Sequence, residues 1–204
     1  SLQDLPKLKA NPQDEMLQRL VSKRNRKIDN IIYTALLGNA QRKVVGADTY
    51  TNVALPTTQV VGTSTTPLTK QALINIRTSF YANEVPEDEV VYILYDATML
   101  NTILGDATLQ SSDYTAIQGL QTGQIKDFLG MRWVHYEGIK QSDGKSVIGA
   151  AYTSNSLQFG SANISPLKIV ELEAQNRTQS IGHIDSYGAT RVDEKRVVKF
   201  QFAI

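Results

Sequence analysis

Apolar residues recur at Leu17, Leu20, Val21, Ile28, Ile31, Ile32, Ala35 and Leu36. Steps of three, four and seven place them on one stripe of a helix. The preceding Asn11-Pro12-Gln13-Asp14 supplies a start: Asn caps free amides, Pro suits the first turn, and the acid faces the positive end of the helix dipole. Gly38 offers a left-handed stop. The pattern predicts a helix over 12–37, roughly 39 Å long at about 1.5 Å per residue.

Beyond it, 44–66 is rich in Thr, Val and Gly with breaks at Pro56 and Pro67, a pattern for one or two strands and their connections. Ala72, Leu73, Ile76 and Phe80 predict a second helix over 69–82, with Val85-Pro86 just beyond it. Glu89 to Tyr95 is a β-branched and aromatic run, read as a buried strand. Asp96 is placed to cap a short helix through Met99, Leu100, Ile103 and Leu104 that stops at Gly105. A weaker helical pattern covers 113–122, and Gly130 leads into a strand over 131–136. Ser142-Asp143-Gly144-Lys145 has the composition of a turn. Strands are expected near 147–152, 164–172, 181–187 and 196–202, the last two joined across Gly188 and an Asp193-Glu194-Lys195 turn. Helix, helix, strand, helix and then strands is the order of an α+β fold.

Composition narrows the function classes. A formal net charge of +1 gives no global pull toward nucleic acid or membrane, so any electrostatic role must be local. The local feature is Arg19, Lys23, Arg24, Arg26 and Lys27, assigned to the polar face of the first helix. The cluster reads first as a solvated helix face, and second as a contact with packaged nucleic acid or with acidic groups on a neighbouring subunit. Cysteine is absent, which excludes disulfides and thiolate metal sites. No apolar run approaches the length of a membrane helix. His135 and His183 each lie in a strand-like segment without helically spaced ligand partners, and read as structural or surface residues. Trp133 reads as core, and the acid pairs Asp88-Glu89 and Asp193-Glu194 as solvated turn residues. With no phosphate loop or nucleophile elbow in the chain, no catalytic, metal or cofactor residue is assigned.

A resemblance goes further. Arg26-Lys27-Ile28-Asp29-Asn30-Ile31-Ile32 and Ala35-Leu36-Leu37-Gly38 are similar to the end of the spine helix of tailed-phage major capsid proteins. Leu55-Pro56, then 82–88, then the strand Val90-Val91-Tyr92-Ile93-Leu94 follow in that family's order. So do Leu104-Gly105-Asp106 through Ser111-Ser112-Asp113-Tyr114, and 123–134, which is similar to the family's glycine-bracketed helix-to-strand turn. The ending from Tyr187 to Val198 also resembles that family's C-terminus. Each motif alone is weak, and their order carries the likeness.

The resemblance implies the Hong Kong ninety-seven type of capsid fold. It assigns 1–10 to a lead, 11–83 to the spine helix and peripheral lobe, 84–178 mainly to an axial lobe, and 179–204 to strands returning to the peripheral lobe. It implies a structural, non-enzymatic subunit without cofactors, partnered by copies of itself in hexamers and pentamers and by non-specifically held double-stranded DNA. Portal, scaffold or decoration proteins are further partners it implies, with assembly in the bacterial host cytoplasm and no membrane. Family members carry an N-terminal arm and an extended loop ahead of the spine helix, whereas about ten residues precede it here. The expectation is a piece whose upstream part lies outside this sequence, or a truncated subunit. A bacterial nanocompartment shell protein shares the implied fold, and a small-molecule enzyme is the reading from another class.

Overall fold

The computed structural model describes residues 12–105, 127–172 and 178–204. The expected helix over 113–122 and the cap at Asn11 lie outside these residues. The chain divides into two compact units, one formed by 1–32 and 159–189, the other by 33–158 and 190–204.

Helix α1 runs Pro12–Leu37, the span its apolar period predicts. Gly38 ends it for a different reason from the one expected. Its φ is not in the left-handed region. Its amide instead bonds the Thr34 carbonyl at 2.8 Å, and an added Cβ would stand 2.7 Å from that oxygen. Close approach, not handedness, requires glycine here.

In the larger unit the chain pairs at once after α1: β1 (Ala40–Lys43) and β2 (Tyr50–Val53) form an antiparallel hairpin with Ala40 opposite Val53. The strands therefore start earlier than the valine pattern indicates. Val44 and Val45 sit at the hairpin tip, where Val45 is fully exposed, because Ala40 and not a valine is the buried anchor. β3 (Val60–Val61) follows, and then α2 (Lys70–Ala82), whose Thr69 side chain accepts from the Ala72 amide at 3.2 Å as an N-cap. Ala72, Leu73, Ile76 and Phe80 are its buried face.

Next come β4 (Val91–Tyr95), α3 (Ala97–Gly105), β5 (Asp127–Phe128), β6 (Met131–His135), β7 (Ser146–Thr153) and β10 (Val197–Ala203). With β3 the strands make a six-stranded sheet in the order β3-β10-β7-β4-β6-β5. β4 lies at its interior, parallel to β6 and antiparallel to β7, so Ile93, Leu94 and Tyr95 are all buried. Asp96 has no exposed surface and caps α3: one carboxylate oxygen accepts from the Met99 amide at 2.8 Å, the other from the Thr98 hydroxyl.

Residues 127–131, expected at a helix-to-strand turn, instead form a two-residue hairpin turn from β5 to β6. Leu129 (φ 52°) and Gly130 (φ 67°) both adopt positive φ, the pattern of the tight turns that match strand twist. Trp133 is core as expected, and its indole N–H donates to the Phe128 carbonyl at 3.2 Å. Opposite β7, Val197, Val198, Phe200 and Phe202 of β10 are fully buried. Gly149 faces Phe200, and any Cβ there would meet the ring at 2.1 Å.

The smaller unit holds α1 up to Ile32 and the two-stranded sheet of β8 (Leu157–Leu172) and β9 (Thr178–Arg191), of which 159–189 belong to it. Both strands are longer than their apolar runs, and Gly188 lies inside β9 instead of in a connection. Ile164, Ile169, Val170 and Ile184 of this ribbon are at least half exposed.

The acid pairs are not free turn residues. Asp88 stays exposed, but Glu89 is paired with Arg196 and accepts from the Asn155 amide at 3.1 Å. Asp193 accepts from Arg196 at 3.1 Å and from the Lys195 amide, and Glu194 accepts from Arg42 at 2.7 Å. The Glu89–Arg196, Glu89–Asn155 and Glu194–Arg42 pairings join segments far apart in sequence, which local turn composition does not reveal, whereas Asp193 bonds within its own turn. The Arg196 hydrogen bond is the main reason the Glu89 carboxyl is held below the ordinary glutamate range. A group with a depressed folded pKa stabilises the fold above its unfolded value, and that contribution disappears as pH falls through the folded one. Glu89→Gln should therefore cost about 2 kcal/mol near neutrality, as for a charged hydrogen bond lost. Denaturant unfolding across the acid range should show a flatter pH dependence than the parent; parallel curves would mean the pair contributes nothing.

Candidate assembly and nucleic-acid-facing surfaces

The five cations assigned to one face of α1 separate into two sets. At about 100° per residue, Arg19, Lys23 and Arg26 share the side away from the apolar stripe, whereas Arg24 lies seven residues from both Leu17 and Ile31 and falls within it. Lys27 stands at the stripe's edge. The polar set is exposed: Arg19 pairs with Glu15 one turn earlier at 2.5 Å, and Lys23, Arg26 and Lys27 make no ion pair with any described residue.

Arg24 is engaged inside its own unit. Its Nε donates to the Tyr187 hydroxyl at 2.6 Å and lies 3.4 Å from the Asp185 carboxylate, whose side chain is only 8% exposed. Tyr187 in turn donates to Asp185 and stacks on Phe159, centroids 6.0 Å apart. The bond to Asp185 raises the Tyr187 phenol above the usual tyrosine range, and the bond to Tyr187 raises Arg24. The pairing of β9 with the helix through this trio had a signal in the sequence: a lone arginine in an apolar stripe needs a polar partner.

Beside the trio lies a groove of about 620 Å³. Its floor includes Leu17, Leu20, Val21 and Ile31, and Lys23 and Lys27 are on its rim. Val21 is 48% exposed, and of the eight apolar-stripe residues only Leu36 is buried, in the other unit. In the smaller unit the stripe is thus partly covered, with Val21 exposed and Leu17, Leu20, Ile28, Ile31 and Ile32 half-buried.

His135 Nε2 sits 2.7 Å from Glu137 Oε1, and Glu137 also accepts from the Ala97 amide at the start of α3. His183 lies in β9. Among the described residues there is no cluster of acids and histidines able to hold a metal ion, and no helix long and apolar enough to cross a membrane.

A family model described as phage capsid protein matches residues 2–204. No curated protein matches the sequence. Among solved structures, the chain is similar to one from Mycobacterium phage Che8, with 17% identity, 70% of this chain and 55% of that chain covered, and a TM-score of 0.52. It is similar to the capsid of the cyanophage P-SCSP1u at 13% identity, covering 95% of this chain and 65% of that one, TM-score 0.58. For the capsid of an empty GTA particle the values are 12% identity, 100% and 70% coverage, and a TM-score of 0.63. The chain thus spans less than two thirds of the length of the first two. At such identities the likeness shows the fold, and that fold is the Hong Kong ninety-seven type, α+β as its elements imply. With the family match running along 2–204 and the architecture shared with capsid subunits, the chain belongs to the phage capsid protein family.

Proposed function

We propose that the protein is a major capsid subunit that tiles with copies of itself into an icosahedral head enclosing double-stranded DNA. The observation that carries this reading is the capsid family match along 2–204. A shell subunit needs extended surfaces that stay open in the single chain and close against neighbours, and the apolar stripe of α1 and the β8–β9 ribbon have that character. In this reading α1 is the spine helix, 11–83 and 179–204 build the peripheral lobe, and 84–178 mainly the axial lobe. Hexamers and pentamers of the subunit form the head in the host cytoplasm, with portal, scaffold and decoration proteins as further partners. Electron microscopy and light scattering of the protein expressed from its complete reading frame test this. Closed shells are expected; a monodisperse small species under assembly conditions would contradict it.

The exposed cations Arg19 and Arg26, on the side away from the groove, face the packaged DNA in this proposal. Nothing about a row of exposed cations reads base edges, so its contribution is to affinity and not to sequence. Changing Arg19 and Arg26 together to Gln should leave stability within about 0.5 kcal/mol of the parent. Binding of the subunit to duplexes of unrelated sequence should weaken equally, and the slope of log affinity against log salt should fall by about 1 to 2. An unchanged slope would leave these residues as a solvated helix face.

A further inference from the structure

The cations at the groove have a counterpart elsewhere on the chain. Most acids with described side chains are paired or hydrogen-bonded; those that are not are Asp29 on α1 and, gathered in the loop between α2 and β4, Glu84, Glu87 and Asp88. Tyr81 and Val90 flank them, 48% and 44% exposed. The loop is set in place by the backbone. Glu84 takes φ 58° as α2 ends, the Val85 amide bonds the Phe80 carbonyl at 3.1 Å, and the Glu89 amide bonds the Pro86 carbonyl at 3.1 Å. Val85 is buried beneath it, and the Asn83 side chain donates to the Lys195 carbonyl at 3.1 Å. An acidic projection with apolar flanks is therefore presented with little ordering left to lose on binding.

We propose that the Glu84–Asp88 loop of one copy docks on the α1 groove of a second copy, its acids on Lys23 and Lys27 and its apolar flanks over Leu17, Leu20, Val21 and Ile31. This deepens the shell-subunit reading and rests on it, by naming a pair of surfaces that copies use. Charge complementarity selects the occupant: the loop gathers unpaired acids, and Lys23 and Lys27 at the groove are unpaired bases, in a chain whose net charge is +1. A phosphate backbone would satisfy the lysines but leave the apolar floor open, which favours protein over DNA in the groove. Because the two surfaces differ, the contact is head-to-tail, and each copy keeps one of each for its next neighbour; a closing rotation yields a ring.

Charge exchange in the complete reading frame tests this. Lys27→Glu and Glu87→Lys should each reduce the fraction of chain sedimenting as particles about tenfold at low salt, and the two together should restore it to within about twofold. Singles that assemble like the parent, or a double no better than either single, would overturn the proposal. The parent in the same assay keeps the two claims apart, since failure of the parent to form particles removes the shell reading itself. The absence of cysteine allows a second measurement that does not depend on how well the reversed chains fold. A chain carrying both Lys27→Cys and Glu87→Cys, assembled without parent and mildly oxidised, should give disulfide-linked multimers on a non-reducing gel. Only monomers from intact particles would overturn the contact. If the reversals weaken duplex binding but leave assembly unchanged, DNA and not a second copy occupies the groove.

Discussion

The Arg191 guanidinium, its side chain with no exposed surface, sits where the end of α1, the β1–β2 hairpin and the end of β9 meet in the larger unit. It donates to the carbonyls of Leu36 at 2.9 Å, Gly38 at 2.6 Å and Val53 at 3.0 Å. Carbonyls at a helix C-terminus lack intrahelical partners and carry the negative end of the dipole, so a buried cation suits them doubly. Burying that cation alone would cost several kcal/mol. Glu194, 3.5 Å from Arg191 Nε, supplies the opposing charge and is itself held by Arg42 of β1, which also donates to the Val192 carbonyl at 2.6 Å. One ion pair network thereby sets where α1 stops, how the hairpin lies, and where the chain stands as it enters β10.

From that point the buried strand β10 follows within a few residues, and its four buried side chains form much of the sheet's core. The polar network thus settles its charges internally, whereas α1 in the smaller unit leaves an apolar stripe and Lys23, Arg26 and Lys27 unpaired. A molecule that matches its buried Arg191 cation with an acid but leaves cations of its long helix unmatched has the balance of a repeated shell component. Few such surfaces need be strong when many copies act together.

What the sequence revealed was local. The bounds of α1, the place of α2 and the Asp96 cap rest on contacts within a turn, and periodicity with capping chemistry sufficed for them. The early start of β1 and the engagement of Glu89 were not legible, because the partners Arg42–Glu194 and Glu89–Arg196 are separated by most of the chain. Valines 44 and 45 pointed to the wrong residues, since a hairpin tip tolerates apolar side chains when its anchor lies below. The division of the five cations was available in principle from helical arithmetic, which places Arg24 among Leu17, Leu20 and Ile31; what it could not supply was Tyr187 and Asp185 as the partners. Arg191 gave no signal beyond its place in a capsid-like C-terminus.

The most direct measurement is denaturant unfolding of Arg191→Lys beside Arg191→Met. A lysine keeps the charge but cannot span three carbonyls and a carboxylate, so an organising role for the guanidinium fork predicts a loss of about 2 to 4 kcal/mol for both variants. Arg191→Lys unfolding within about 0.5 kcal/mol of the parent, the range of an ordinary surface substitution, would show that charge alone suffices and would contradict the account.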